Sequence, residues 1–313
     1  MSSGELVATR GWRGVPERGT VLGIRFVAVL CRTFGRRAAS GFLWFLSVYY
    51  ALFARSARRA SRAYLGRVGE PARFGAVVSH FWHFARVSLD RYLFLSGRID
   101  EFDVRLNGNE RIDHASSGAT HPEKEGAPLR GALLLGSHVG SFEAMRAVAA
   151  RDEVPLTVIV DFRTAERVNG VLARLGPQLN FRMIALDETR VTSMLDVKQR
   201  IDRGELVAIL GDRVPERSDR SVEAELLGGK ALFPSGPYLL AHMLKCPVYL
   251  VFALFHEPNR YEVYCEPFAD AIKLPRATRN EALRDYAQQY ATRLEAYIRK
   301  APYNWFNFFE FWK

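Results

Sequence analysis

Cysteine is scarce in this sequence, and its few copies are far apart. The 313 residues include three cysteines, Cys31, Cys246 and Cys265. This spacing supports neither a disulfide framework nor a CxxC metal site, so we expect a reduced, intracellular protein without a metal. Common catalytic signatures are missing too: no P-loop or GxGxxG follows a candidate strand, and neither GxSxG nor HExxH occurs. A nucleotide enzyme, a serine hydrolase and a zinc hydrolase are therefore poor interpretations.

Acidic residues are also in deficit. There are 34 Asp and Glu against 44 Lys and Arg, which gives a formal net charge of +10. Such a charge suits nucleic acid, an anionic membrane surface or an anionic substrate. The sequence has no zinc-finger spacing, RNP-like strand or helix-turn-helix pattern, so we expect no nucleic-acid partner. A hydrophobic fraction of 48% excludes a disordered chain.

No uncharged apolar run is clearly long enough to cross a bilayer. The run AASGFLWFLSVYYALFA at 38–54 is at the lower limit of the roughly 17 to 25 residues that span a membrane as a helix. Residues 1–20 lack the pattern of a cleaved signal peptide, and we interpret them as a flexible N-terminus. For residues 38–54 we expect a helical hairpin or a re-entrant helix in one leaflet.

Arginines and aromatic residues accompany this run. Four arginines follow it at spacings that share one helix face: Arg55, Arg58, Arg59 and Arg62. Three aromatic side chains within the run suit headgroup depth: Trp44, Tyr49 and Tyr50. We therefore predict that residues 21–105 form a membrane-associated helical region on an anionic membrane surface. The alternative is a buried core helix with a solvated arginine face.

Beyond residue 131, short apolar runs alternate with helical stretches. The candidate strands are 132–136, 156–161, 181–187, 206–212, 247–255 and, at the edge of the sheet, 261–268. This alternation predicts an α/β fold: a mainly parallel central sheet flanked by helices, with the N-terminal helices packed beside it. We assign residues 106–313 to this α/β domain, continuous with the helical region, and expect 281–300 to be a long closing helix.

The turn after the first of these strands, GSHVGSFE at 136–143, carries the strongest chemical signal. His138 is at the centre of a G-x-H-x-G elbow, which presents an imidazole where other enzymes present a serine. Ser141 suits the N-cap of the next helix, and Glu143 falls in its first turn. A carboxylate there is able to hold one ring nitrogen of His138 and leave the other free as a general base. The alternative is a histidine satisfied in a turn and a glutamate that only caps a helix.

Further polar residues lie where strands meet helices, and chemistry in such sheets collects at the carboxyl ends of strands. Arg163 and Asn169 follow strand 156–161, and Asp212 and Arg213 lie at the end of strand 206–212. The segment PSGP at 234–237 begins a helix whose free amides suit an anion. The substrate-binding candidates are Ser141, Arg163, Asn169, Asp212, Arg213, Ser235 and Gly236. Singly, each is explained by a salt bridge or a helix cap; together they predict one polar crevice.

The order of these motifs resembles the lysophospholipid acyltransferase superfamily and, within it, the late acyltransferases of lipid A biosynthesis. The resemblance covers roughly residues 20–313 and rests on HVGSFE, the Arg163 turn, the Asp212 turn and the tail NWFNFFEFWK. Six of those ten tail residues are aromatic, so we expect the tail to dock onto the body, the membrane or both. Leu226-Leu227-Gly228 stand where the family usually has aromatic residues, which leaves the acceptor open.

The resemblance implies transfer of a fatty acyl chain from an acyl carrier protein or coenzyme A thioester to a hydroxyl of a lipid acceptor, first of all a lipid A precursor-like glycolipid. It implies His138 as the general base with Glu143 as its partner, at the cytoplasmic face of the inner membrane, in a peripheral or monotopic protein. We expect no cofactor, and oxyanion donors among the amides of residues 140–142. Alternatives are an aryl polyene or other pigment head group, a lysophospholipid acceptor, or a non-catalytic protein that binds lipid or carrier.

Overall fold

Helices dominate the N-terminal part of this computed structural model, which describes residues 21–107, 131–161, 182–186, 191–214 and 220–313. The helices are α1 (Val21–Phe53), α2 (Arg55–Val68), α3 (Phe74–Leu95), α4 (Phe142–Arg151), α5 (Val191–Asp202), α6 (Gly236–Leu244) and α7 (Arg279–Lys300). The strands are β1 (Asp103–Asn107), β2 (Leu133–Gly136), β3 (Leu156–Asp161), β4 (Arg182–Leu186), β5 (Leu206–Leu210), β6 (Ser221–Leu226), β7 (Gly229–Pro234), β8 (Val248–His256) and β9 (Arg260–Ala269). The N-terminus predicted to be flexible, residues 1–20, lies outside the described residues.

Seven strands form one sheet in the order β1-β9-β8-β2-β5-β3-β4. The five strands from β8 to β4 are parallel to one another, and β1 is parallel to β9, while β8 and β9 are antiparallel. The prediction of a mainly parallel sheet flanked by helices is confirmed. The edge position predicted for residues 261–268 is wrong, because β1 pairs with the outer side of β9. We did not predict β1, because its sequence DVRLN is short and half charged or polar.

A two-stranded hairpin, β6 and β7, stands apart from the main sheet. Its two-residue turn is Leu227-Gly228, and both residues have positive φ, 51° and 68°. Such a turn matches the twist of a hairpin. The sequence patterns do not predict this hairpin, because leucine at a positive φ is not a signal that such patterns provide.

The main sheet is covered on both faces, because successive residues of a strand point to opposite sides. On one side, Leu133 and Leu135 of β2 belong to a cluster with residues of α2, α5 and α7. On the other side, Leu134 belongs to a cluster with residues of α1, α3 and α4. The N-terminal helices therefore share the hydrophobic core with the sheet.

Helix α1 is interrupted at Gly35, which has a φ of 80° that glycine adopts without strain. After this break, one side of α1 carries small or apolar residues that are buried, among them Ala39, Leu43 and Ala51. The opposite side exposes aromatic and apolar residues, among them Phe45 and Phe53.

None of the described helices has an apolar stretch sufficient to cross a membrane.

A buried ion pair joins α1 to the rest of the protein. The Arg36 guanidinium donates two hydrogen bonds of 2.7 Å to the two carboxylate oxygens of Asp90 on α3. The Tyr261 hydroxyl of β9 donates a third, of 2.8 Å, to the same carboxylate. Because Asp90 is completely buried and its carboxylate receives three donors, this contact fixes the orientation of α1 relative to α3 and the sheet.

Candidate active site

The register of two neighbouring strands brings His138 and Asp212 together. β2 and β5 are adjacent and parallel, and Gly136 at the end of β2 pairs with Leu210 at the end of β5. His138 and Asp212 each lie two residues beyond that pair. Because side chains alternate along strands of equal register, the two groups reach the same height above the same edge of the sheet.

His138 and Asp212 form a histidine–carboxylate pair. The ring nitrogen Nδ1 of His138 lies 2.8 Å from Asp212 Oδ1, and the His138 backbone N–H donates to Oδ2 over 3.0 Å. Asp212 is completely buried, whereas the His138 side chain remains 35% exposed. A carboxylate accepts hydrogen bonds, so Nδ1 carries the proton and Nε2 is the accessible nitrogen that is able to accept one.

The electrostatics keep Asp212 ionised. Burial alone would raise the pKa of Asp212, but the attraction of His138, the hydrogen bonds that His138 donates and the charge of Arg213 together lower it below its ordinary value. The carboxylate therefore holds one tautomer of His138 and would stabilise an imidazolium formed on that ring. Burial lowers the pKa of Arg213, and the neighbouring Asp212 opposes that effect.

The turn after His138 requires a glycine. Gly140 has a φ of 67°, and a Cβ built there would lie 1.8 Å from the carbonyl oxygen of Ala253 on β8. Its N–H donates to the Asn304 carbonyl over 2.8 Å, and the Ser141 N–H donates to the Ala253 carbonyl over 2.9 Å. Two of the three amides expected to bind an oxyanion are thus already engaged, and the expectation is wrong for both. Phe142 N–H remains, at the first position of α4, where a helix has no internal partner for its amide.

Two predictions on the helix start have different outcomes. The Ser141 hydroxyl accepts the N–H of Ala144 over 3.2 Å, so the predicted N-cap is confirmed. Glu143 lies in the first turn of α4 as predicted, but its carboxylate contacts Arg91 Nε of α3 at 2.7 Å. The prediction that Glu143 holds a ring nitrogen of His138 is therefore wrong in this structure. Asp212 occupies that position, because the strand register delivers it directly beneath the imidazole.

The C-terminal aromatic tail packs against this turn. Trp305 is completely buried and bridges to Val139 in an antiparallel pair, and the Phe306 N–H donates to the His138 carbonyl over 3.4 Å. The Trp305 indole N–H donates to Asp212 Oδ2 over 3.2 Å. Docking of the tail onto the body is confirmed.

Arg213 interacts with the same tail. Its guanidinium donates to the Phe306 carbonyl over 2.8 Å and lies 5.3 Å from the ring centre of Phe309. These partners hold the side chain beside the site. A contact of Arg213 with substrate stays a prediction.

The structure describes only some of the remaining predicted substrate residues. Arg163 and Asn169 lie outside the described residues. Ser235 and Gly236 follow β7 of the hairpin rather than a strand of the main sheet, and none of their described contacts reaches His138 or Asp212. In the described part of the chain, the predicted polar crevice therefore brings together the turns after β2 and β5. Within the same residues, no three His, Cys, Asp or Glu side chains are grouped as metal ligands.

Sequence reasoning missed three residues of this site. Trp305 and Arg91 come from parts of the chain far from the strand ends, and no local pattern links them to the site. Tyr290 of α7 is completely buried and donates to the Gly136 carbonyl over 2.8 Å, beneath the turn. The aromatic content of the tail was the one available signal, and it indicated docking without a location.

The site combines a histidine with an accessible Nε2, a buried carboxylate on Nδ1 and the N-terminus of α4 beside them. The family model for bacterial lipid A biosynthesis acyltransferases matches residues 89–313, which is more than half of the chain. The chain belongs to this family of acyltransferases. The match includes both the His138 and the Asp212 turns as well as the tail, and it confirms the resemblance that the sequence motifs indicated. No curated protein matches the chain.

Proposed function

We propose that this acyltransferase moves a fatty acyl chain from an acyl carrier protein or coenzyme A thioester to a hydroxyl of a lipid A precursor-like glycolipid, with His138 as the general base. The observation that carries the proposal is the His138–Asp212 pair, at the first strand-to-helix turn of a chain from the lipid A acyltransferase family. A neutral imidazole held in one tautomer by a buried carboxylate is suited to removing a proton from a hydroxyl.

The proposed reaction uses Nε2 of His138. As the acceptor oxygen attacks the thioester carbonyl, its proton passes to Nε2, and a C–O bond forms to give a tetrahedral oxyanion. Asp212 stabilises the imidazolium, and the Phe142 N–H at the helix start suits the oxyanion. When the C–S bond breaks, the imidazolium returns the proton to the departing thiolate, so the products are an ester and a free thiol.

Glu143 keeps a place in the proposed site, with a different role from the one first expected. Its side chain is 15% exposed, lies in the first turn of α4, and is held by Arg91. We propose that Glu143 accepts a hydrogen bond from the acceptor near the reacting hydroxyl. The remaining candidates of the substrate site are Arg163, Asn169, Arg213, Ser235 and Gly236.

The function is tested with purified protein in detergent or vesicles. A radiolabelled acyl chain is supplied as the acyl carrier protein thioester or the coenzyme A thioester, together with a lipid A precursor. We expect label to move to the glycolipid through an ester bond, with one thiol released for each ester. Label on a lysophospholipid or a pigment head group would select another acceptor. Thioester binding without any transfer would contradict catalysis.

We also propose that the protein works on the anionic cytoplasmic surface of the inner membrane. Its N-terminal helices offer two adjacent surfaces for this purpose. The exposed face of α1 includes Phe45 and Phe53, whose side chains are 68% and 65% exposed, and an exposed aromatic strip suits the apolar edge of a bilayer.

The second surface is the arginine face of α2, which begins immediately after α1. Arg58 turns back and donates to the carbonyls of Ala51 and Leu52 over 2.9 and 2.6 Å, so it caps α1 instead of joining this face. Arg55, Arg59 and Arg62 remain exposed and have no ion-pair partner among the described residues. Three such charges are suited to anionic headgroups.

Replacing Arg55, Arg59 and Arg62 together with serine is expected to weaken binding to vesicles rich in phosphatidylglycerol by roughly 100-fold, since each basic residue near such a surface contributes about 1 kcal/mol. Changing Phe45 and Phe53 to serine should also release the protein, but with little dependence on salt. Co-sedimentation at two salt concentrations measures both effects. Leu195→Ser and Met243→Ser, at other exposed apolar positions, are the controls. Equal losses in the controls and the variants would exclude these helices as the membrane surface.

A further inference from the structure

The indole of Trp305 is the third donor on the carboxylate that orients the proposed base. Asp212 Oδ2 receives the His138 backbone N–H over 3.0 Å and the Trp305 Nε1–H over 3.2 Å, while Oδ1 faces the imidazole. Both Asp212 and Trp305 are completely buried. A carboxylate buried away from solvent depends on such donors for its position and for its charge.

Trp305 is itself held on several sides. Its carbonyl oxygen accepts Nε2–H of His80 on α3 over 2.9 Å, and the Ser61 hydroxyl of α2 is bonded to Nδ1 of the same ring over 2.9 Å. A carbonyl only accepts, so His80 carries its proton on Nε2. Burial lowers the pKa of His80 to about 3, so the ring is neutral at physiological pH. The Tyr64 ring, 5.2 Å away and nearly perpendicular, fixes the indole from the side.

The geometry points to Trp305 as a positioning residue for catalysis, which holds the Asp212 carboxylate in the orientation that aligns His138. This inference rests on the proposed function of His138. It assigns the tail a role beyond packing, since a phenylalanine would fill most of the same space but would donate nothing to Oδ2. The carboxylate would then keep only the two donors of His138 itself, and the imidazole and its orienter would be free to rotate together.

Trp312 provides a matched control within the same tail. It too donates its indole N–H, but over 2.8 Å to the Leu226 backbone carbonyl of the hairpin. Trp305→Phe and Trp312→Phe therefore remove the same chemical group from the same segment, and Asp212 loses a donor in the first variant alone.

We expect Trp305→Phe to lower kcat roughly 10- to 100-fold with little change in KM, the effect of losing one hydrogen bond to a charged group that orients a base. Trp312→Phe should keep kcat within about threefold of the parent, because its lost hydrogen bond is to the Leu226 carbonyl and leaves every donor on Asp212 in place. If Trp305 only packs, the two variants should lose similar fractions of kcat. Equal kcat losses would therefore overturn the inference. Thermal unfolding of both variants reports on packing separately.

A second readout needs no substrate. The proton shared by His138 Nδ1 and Asp212 Oδ1 should give a low-field proton NMR signal that disappears in His138→Ala. In Trp305→Phe this signal should move, because the carboxylate has lost the hydrogen bond from the indole N–H. In Trp312→Phe it should stay at the parental position. An unmoved signal in Trp305→Phe would overturn the inference even if acyl transfer were never detected. If that variant does not fold, benzothienylalanine at position 305 keeps the shape and removes only the N–H.

Discussion

Alanine in place of His138 is expected to reduce kcat/KM for acyl transfer by roughly 100- to 10,000-fold, the contribution of a positioned general base. The acceptor hydroxyl would then have to attack the thioester with its proton still bound. The variant should fold, because the imidazole is 35% exposed and Asp212 keeps the backbone N–H of residue 138 and the Trp305 indole N–H as donors. Initial rates with limiting acceptor, together with thermal unfolding, measure the two effects.

His256→Ala is a suitable control for this experiment. His256 is another half-buried histidine, at the end of β8, and it lies 3.4 Å from Glu262. This variant should retain transfer close to that of the parent. Parental rates in His138→Ala would remove His138 from the mechanism and, with it, the proposed reaction.

Asparagine in place of Asp212 is expected to lower kcat about 10,000-fold, with a much smaller change in KM, as in other catalytic pairs in which the orienting carboxylate is replaced. The amide has nearly the same shape, but its NH2 group is able to donate to Nδ1. It therefore favours the tautomer that places the proton on Nε2, the nitrogen that has to accept the hydroxyl proton. Steady-state kinetics over a range of pH, with an unfolding control, provide the measurement.

Variants of Glu143 test which of two carboxylates, Asp212 or Glu143, orients His138. Glu143→Ala and Arg91→Ala both remove the contact of 2.7 Å between α4 and α3. If Glu143 contacts the acceptor, as proposed, Glu143→Ala loses more activity than Arg91→Ala. Equal losses would make Glu143 a structural link. A loss in Glu143→Ala that exceeds that of Asp212→Asn would contradict Asp212 as the orienter.

The main outline of the fold was predictable because it depends on local patterns. Short β-branched and leucine-rich runs separated by helical stretches specify a covered parallel sheet, and all six candidate strands are present. β1 and the β6–β7 hairpin were missed for a physical reason. Each is stabilised by its partner strand more than by its own sequence, since β1 is half exposed and the hairpin turn uses a leucine at a positive φ.

The error over Glu143 has a similar origin. At sequence level, Glu143 is five residues from His138 and Asp212 is more than seventy away, so proximity in the chain favours Glu143. In the structure the carboxylate of Glu143 is drawn to Arg91 on α3, a contact between residues distant in sequence. The distance along the chain was therefore a poor guide to the partner of the imidazole.

By itself, the sequence determined the family, the parallel sheet and the choice of the His138 and Asp212 turns as site candidates, because these depend on motifs and on apolar periodicity. Only the tertiary structure decided that Asp212 orients His138, that Arg91 holds Glu143 and that the tail supplies Trp305 to the site. The physical reason is the pairing of β2 with β5. Their shared register sets two residues at one height on neighbouring strands, and neither strand contains information about its neighbour.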